Sequence, residues 1–176
     1  MELAKPTAPQ LLVGCGHTRD KRMGVSGTDG WNHLVTLDTN PKVNPDVVWD
    51  LNTMPYPFED NTFSEVHAYE VLEHCGTQGD FRFFFDQFYE FWRILRPRGL
   101  MFITVPSPLS CWAWGDPSHR RVIPIESFVF LSQAEYERQK GKTAMSDLRD
   151  FWKGDFKVIE ACNVQGQARV VLEAIK

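Results

Sequence analysis

Two short apolar runs near the amino terminus constrain the fold of this chain more than any other feature. The first, Gln10-Leu11-Leu12-Val13, runs into Gly14-Cys15-Gly16; the second, within residues 33–38, ends in Asp38, 22 residues after Gly16. Apolar runs of this length bounded by turn residues read as strands covered on both faces, the pattern of a parallel sheet. Glycines after one such strand permit backbone conformations and close approaches that a Cβ forbids. A carboxylate about 20 residues further on can accept hydrogen bonds from both hydroxyls of a ribose. Together they predict an α/β fold with a nucleoside site at the carboxyl ends of its first two strands.

Further strand-like runs lie at 47–49, 65–69, 100–105, 156–164 and 168–175. Between the fourth and fifth strands, Phe81, Phe84, Phe85, Phe88, Trp92 and Leu95 recur at helical spacing, while Arg82, Asp86, Glu90 and Arg93 take other faces. This predicts an amphipathic helix over 80–96 whose aromatic stripe packs on the sheet, stopped by Pro97 and Gly99. Only Gln165-Gly166-Gln167 separates the last two runs, so they must be hairpin neighbours and the last strand antiparallel. The expected architecture is a Rossmann-like, mostly parallel seven-stranded sheet with an antiparallel last strand. One long interruption, 107–155, precedes the final hairpin and contains a predicted helix over 126–139.

A chain of 176 residues with 43% hydrophobic content makes one domain of ordinary size, able to bury a core without metals or disulfides. The net charge of −4 offers no bulk attraction to phosphate backbones or anionic membranes. Cys15, Cys75, Cys111 and Cys162 are 60, 36 and 51 residues apart, so no Cys-x-x-Cys pair suggests zinc or redox chemistry; free thiols and no metal are expected. No run approaches the ~20 apolar residues of a membrane span, and the first residues lack a signal-peptide pattern, so a cytoplasmic location is expected.

Five ordered blocks add a family likeness: Val13-Gly14-Cys15-Gly16, Leu37-Asp38, Pro45-Asp46-Val47-Val48-Trp49-Asp50-Leu51, Val71-Leu72-Glu73-His74 and Ile94-Leu95-Arg96-Pro97-Arg98-Gly99. Over roughly residues 10–108 the chain resembles small class I S-adenosylmethionine-dependent methyltransferases, and a reversed seventh strand is typical of that fold. The resemblance implies S-adenosyl-L-methionine as cofactor. Gly14, Cys15 and Gly16 would approach its methionine part, and Asp38 with Thr39 its ribose. Asp50 and Leu51 would flank the adenine, and Tyr69, Glu70 and Val71 would line the sulfonium.

The chain departs from the family pattern where Arg19 replaces the third glycine of Gly-x-Gly-x-x-Gly, and where Gly24, Gly27 and Gly30 make the following stretch a poor helix. Only eight residues, 39–46, join the second and third strands, too few for a helical crossover. Proline-rich 51–64 also reads as non-helical. A sheet with so few covering helices leaves apolar surface near its first three strands. The expected cover is the Trp112–Trp114 region or a second subunit, making a homodimer.

Methyl transfer is a direct displacement that needs an acceptor held in line, with a base as an aid for hydroxyl acceptors. Candidate catalytic groups are His119 and His74, with Glu73 and Glu70 behind them. His119 lies in Asp116-Pro117-Ser118-His119-Arg120-Arg121, where the two arginines could bind an anionic group. The 107–155 insertion would form an acceptor-side lid. The fourth strand ends Tyr69-Glu70-Val71-Leu72, unlike DNA amino-methyltransferases, and no Pro-Cys nucleophile occurs, which argues against a nucleic acid and for a small-molecule or sugar-like acceptor. Two rival readings fit part of the pattern: an NAD-dependent oxidoreductase, and an S-adenosylmethionine-binding module without turnover.

Overall fold

A computed structural model describes residues 8–24 and 30–176; Gly27 lies outside the described residues. The strands are β1 (Gln10–Val13), β2 (Leu34–Asp38), β3 (Val47–Val48), β4 (Phe63–Tyr69), β5 (Leu95–Pro106), β6 (Phe156–Val164) and β7 (Gln167–Ala174). They form a seven-stranded sheet in the order β3-β2-β1-β4-β5-β7-β6. Pairing is parallel from β3 across to β5, and β7 runs antiparallel to both β5 and β6. The reversal follows from the turn before β7. Gln165 and Gly166 both sit in the left-handed region (φ 51° and 80°), the geometry of a two-residue hairpin. The expected sheet is therefore the observed one. Its strand order reverses beside β1, where open α/β sheets leave a crevice at the carboxyl ends of their strands.

One face is covered by α1 (Phe81–Ile94), capped by Asp80, whose carboxylate accepts from the Phe83 amide at 3.0 Å. The helix ends at Ile94, three residues before Pro97. The chain then enters a bulge, since Phe63 pairs with Leu95 but Glu65 with Leu100. The buried stripe of α1 is Phe85, Phe88, Phe91 and Ile94, whereas Phe81 is exposed and Trp92 only partly buried. The aromatic periodicity thus placed the helix correctly but its core face about one residue away. Phe128, Leu131 and Trp152, all from the 107–155 segment, complete this layer.

The helix expected over 126–139 is two pieces, a 3-10 helix over Ile125–Leu131 and α3 (Gln133–Gln139). Ser132 divides them because its hydroxyl accepts from the Glu135 amide, offering a cap where a continuous helix would need an interior residue.

On the opposite face Leu12, Cys15, Tyr69, Phe102 and Val171 are covered by Met23, Trp31 and Leu34. Trp112 and Trp114, on α2 (Cys111–Gly115), do not do this; they are 67% and 70% exposed. The expectation that they shield the face near β1–β3 is corrected. The demand for apolar cover there is also smaller than composition suggests. Gln10, Thr36 and His67 are buried in that layer with their polar atoms bonded: Gln10 to the Asn32 amide, Thr36 to Asp46, His67 to Glu65 and Tyr69.

No described residue between Gly16 and β2 is helical, and the β2–β3 link holds only a 3-10 turn over Pro41–Val43. Arg19 ties the two loops together. Its guanidinium donates to the carbonyls of Gly16 at 2.6 Å and Val43 at 2.7 Å. The residue that spoils the glycine signature thereby anchors the loop that a helix would otherwise hold. No helix among the described residues is long and apolar enough to cross a membrane.

Candidate functional site

Gly14 and Gly16 both adopt positive φ (61° and 53°), and they use it differently. A Cβ on Gly14 would lie 2.3 Å from Cγ2 of Val71, so this glycine is needed for packing against the chain after β4. A Cβ on Gly16 would meet nothing within 4 Å, leaving its backbone facing open space. The Gly16 amide donates to Asp38 Oδ2 at 2.9 Å and the Asn40 amide to Oδ1 at 2.8 Å, so the carboxylate of Asp38 is fixed by two loop amides. Each oxygen retains a second lone pair for a ligand hydroxyl. Asp50 is held similarly: its Oδ1 accepts from the amide and side chain of Asn52, whose own oxygen accepts from the Gly76 amide.

These loops enclose a niche of about 260 Å³ whose walls include Gly14, Asp38, Thr39, Asp50, Leu51 and Val71. Leu37, His74, Trp49, Asn52 and Cys75 also line it, and the sequence pattern assigned none of the last three to the site. The Asp50-x-Asn52 spacing, an Asx turn, was the available signal for Asn52. The acceptor set suits an adenosyl group: two anchored carboxylates following adjacent strands, an apolar floor from Leu51 and Val71, and a wall of backbone at Gly14.

Four expected cofactor residues, Cys15, Gly16, Tyr69 and Glu70, are not among the niche's walls. Cys15 and Tyr69 turn to the other face of the sheet, where both are buried in the Met23–Trp31 cluster. Tyr69 accepts from the Met23 amide at 3.1 Å and meets His67 Nδ1 at 2.6 Å. Alternation along β4 explains the placement of Tyr69, because neighbouring side chains point to opposite faces. Burial raises the pKa of the Cys15 thiol and lifts that of the Tyr69 phenol to about 12.

Glu70 follows, with φ 52°, an uncommon conformation for a residue with a Cβ. It faces a second cavity of about 400 Å³, also lined by Glu73, His74, Trp112, His119 and Gln167. Gln167 donates to Glu70 at 2.8 Å. His74 borders both spaces and is their shared wall. The His74 and His119 rings meet edge to face, 4.8 Å between centroids, and His119 Nε2 lies 3.7 Å from Asp116 Oδ2. Ser118 bonds Asp116 through amide and hydroxyl, which holds the Asp116 carboxyl below its ordinary range.

Glu73, ranked behind the histidines from sequence, is the most unusual group here. It is 2% exposed and neither carboxylate oxygen has a partner. Burial pushes its pKa up to about 8, Glu70 adds to the rise, and Arg121 opposes it. Arg121 does not reach the cavity as an anion binder. It is buried behind it, donating to the Leu72 carbonyl at 3.0 Å and to Gln87, over the Phe83 ring. Arg120 is exposed and outside the lining. The expected two-arginine anion site is therefore absent. A third recess, about 210 Å³, is lined mainly by Phe81, Phe84, Phe85, Ile123 and Phe130 and offers little chemistry.

No family model matches the chain, and no curated protein matches its sequence. Solved structures do match its shape. The methyltransferase in a complex with the Trm112 methyltransferase activator of Haloferax volcanii aligns over 99% of this chain and 86% of its own (TM-score 0.61, 14% identity). A SAM-dependent methyltransferase from Archaeoglobus fulgidus aligns over 96% and 87% (0.58, 14%). The N-methyltransferase NodS from Bradyrhizobium japonicum WM9 aligns over 97% and 88% (0.57, 12%). The chain has the fold of class I S-adenosylmethionine-dependent methyltransferases.

Proposed function

We propose that this protein is an S-adenosylmethionine-dependent methyltransferase acting on an O or N atom of a small-molecule or sugar-like acceptor. One observation carries the reading: a nucleoside-type niche and a polar second cavity share His74 as a wall, both at the carboxyl ends of the central strands. In this assignment Gly14–Gly16 bears on the methionine part, Asp38 binds the ribose, Asp50 and Leu51 flank the adenine, and Val71 lies toward the sulfur. The cofactor, when bound, supplies an electrophilic methyl group on a sulfonium. The chain's own task is to hold the acceptor in line and exclude water. His119 and His74 line the acceptor side, where an imidazole nitrogen of either would orient the acceptor and take its proton. Residues 107–121 form the outer wall, with Trp112 offering an aromatic surface for a ring.

The test is a thermal shift with S-adenosylmethionine, S-adenosylhomocysteine and NAD, followed by labelled-methyl transfer to a panel of hydroxyl and amine acceptors. Stabilisation by the first two and not by NAD is expected, since a ligand of the native state raises stability by RT ln(1 + [L]/Kd). Stabilisation by NAD alone would overturn the assignment. Cofactor binding without transfer to any acceptor would favour the non-catalytic binding module.

A further inference from the structure

We propose that Glu73, His74 and His119 form a binding site for a divalent transition-metal cation of the Zn²⁺ type, with an open coordination position facing the acceptor cavity. The three side chains each offer a ligand atom, and these atoms lie within 4.8 Å of one another. Zinc–ligand bonds of about 2.0–2.2 Å set neighbouring ligand atoms about 3.4 Å apart in a tetrahedron, so side-chain rotations of about 1 Å would close the set. The composition, two imidazoles and one carboxylate, is that of metal sites that keep a position free for water or substrate.

Three independent features point to a cation. The first is Glu73 itself. A carboxyl group removed from water with no partner on either oxygen is costly, and buried polar groups of this kind call for an explanation such as an ion.

The second is the state of the imidazoles. His74 Nδ1 lies 3.2 Å from the Ser118 carbonyl, which can only accept, so Nδ1 carries the proton and Nε2 offers its lone pair. His119 Nδ1 is buried without a partner while its Nε2 faces Asp116 Oδ2 at 3.7 Å. An outer acceptor behind each ring is how metal-ligating histidines are oriented.

The third is the electrostatic setting. Glu70, Glu73 and Asp116 line this cavity, while the Arg121 guanidinium lies behind Glu73 and donates to the Leu72 carbonyl and Gln87, not to the Glu73 carboxyl. The backbone also holds the set together: the carbonyl of Glu73 accepts from the amides of Arg120 and Arg121, which pins the His119 strand of chain against the Glu73–His74 turn.

The chemistry at the open position rests on the proposed methyl transfer. A hydroxyl acceptor coordinated there becomes more acidic, because the cation favours its deprotonated form. Metal ligation and proton uptake by the same histidine nitrogens exclude each other, and metal dependence separates them.

The experiment uses the full chain, stripped with a chelator and dialysed, then titrated with Co²⁺ followed by visible absorption, and with Zn²⁺ by equilibrium dialysis. One equivalent and an intense tetrahedral-type Co²⁺ spectrum are expected. Glu73→Gln and His119→Gln should each weaken Zn²⁺ binding at least about 100-fold, beyond what loss of an outer-sphere partner causes. Each variant's S-adenosylhomocysteine thermal shift reports whether it is folded; should Glu73→Gln fail to fold, His119→Gln, at the rim, still decides. Binding well below one equivalent, or equal binding by a folded variant, overturns the site. A cofactor shift without metal binding sinks the cation and leaves the methyltransferase reading intact. Metal binding with no response to either adenosyl ligand does the reverse.

Discussion

Gly14 and Gly16 share a backbone conformation and differ in what surrounds it, which separates two roles that one sequence motif merges. A left-handed residue with a Cβ costs about 1–2 kcal/mol. Gly16→Ala should lose roughly that and no more, since its Cβ enters open space. It should bind S-adenosylhomocysteine more weakly, because the methyl intrudes on the ligand's approach. Gly14→Ala adds a collision with Val71 and should lose about 2–5 kcal/mol, the backbone cost plus about 1–3 for overpacking. Urea denaturation of both variants checks the order; equal losses would contradict it. Asp38→Asn removes the charge that Gly16 and Asn40 hold in place. It should weaken binding of the adenosyl ligand about 10- to 100-fold by calorimetric titration, the scale of a hydrogen bond to a charged group. That Gly14, Asp38 and Asp50 share one niche was legible from sequence because each follows or ends an apolar strand at the same edge of the sheet. Cys15 and Tyr69 were misplaced because a motif gives position along a strand but not the face. The partnerless state of Glu73 was not legible at all, since it depends on residues 119–121, 46 to 48 positions further along the chain.

At the scale of elements, the layer over β1, β4 and β5 is held by a polar cluster rather than a helix. His67 stacks on Phe102, meets Trp31 edge-on, and bonds both Tyr69 and Glu65, while Lys21 pairs with Glu65 at 2.7 Å. Burial lowers the pKa of His67, only partly offset by Glu65. A base with a depressed folded-state pKa binds fewer protons folded than unfolded, so its stability contribution is complete above its ordinary value of about 6.5 and declines as pH falls below it. Burial alone would raise Glu65, but the bonds from His67 and Lys21 outweigh it and hold its pKa low, which adds a further loss at more acidic pH. The melting temperature should therefore drop as pH falls below about 6.5, and a His67→Gln variant should flatten that part of the profile; an unchanged slope would show that His67 does not titrate on unfolding. Periodicity could reveal α1 and the terminal hairpin because their signals are local. It could not reveal that loop residues Met23 and Trp31 replace a helix, since that cover is a long-range contact made by a segment without periodicity.

For the whole molecule, the consequence of so few helices is that α1, the one helix longer than seven residues among the described residues, shares its face of the sheet with irregular chain from the 107–155 segment. α2 and α3 are five and seven residues long, too short to span it. Phe88 stands at the centre of that face, fully buried, with its ring against those of Phe84, Phe91 and Phe128. Phe128 belongs to the 107–155 segment, so Phe88 joins the sheet's helix to the segment that also supplies His119. Truncating a buried phenylalanine costs about 3–5 kcal/mol. Against a total of about 5–15 kcal/mol for a domain, with no second helical layer to compensate, this is a large fraction. Phe88→Ala should lower the urea midpoint by that free energy with little change in slope. Where it stays folded, it should weaken acceptor-side function more than adenosyl binding, because the niche rests on β1, β2 and the loop after β4, whereas the second cavity depends on the 107–121 wall. A loss below about 1 kcal/mol would mean that the 125–155 segment holds the sheet without α1, and that its link to the acceptor side does not run through this ring.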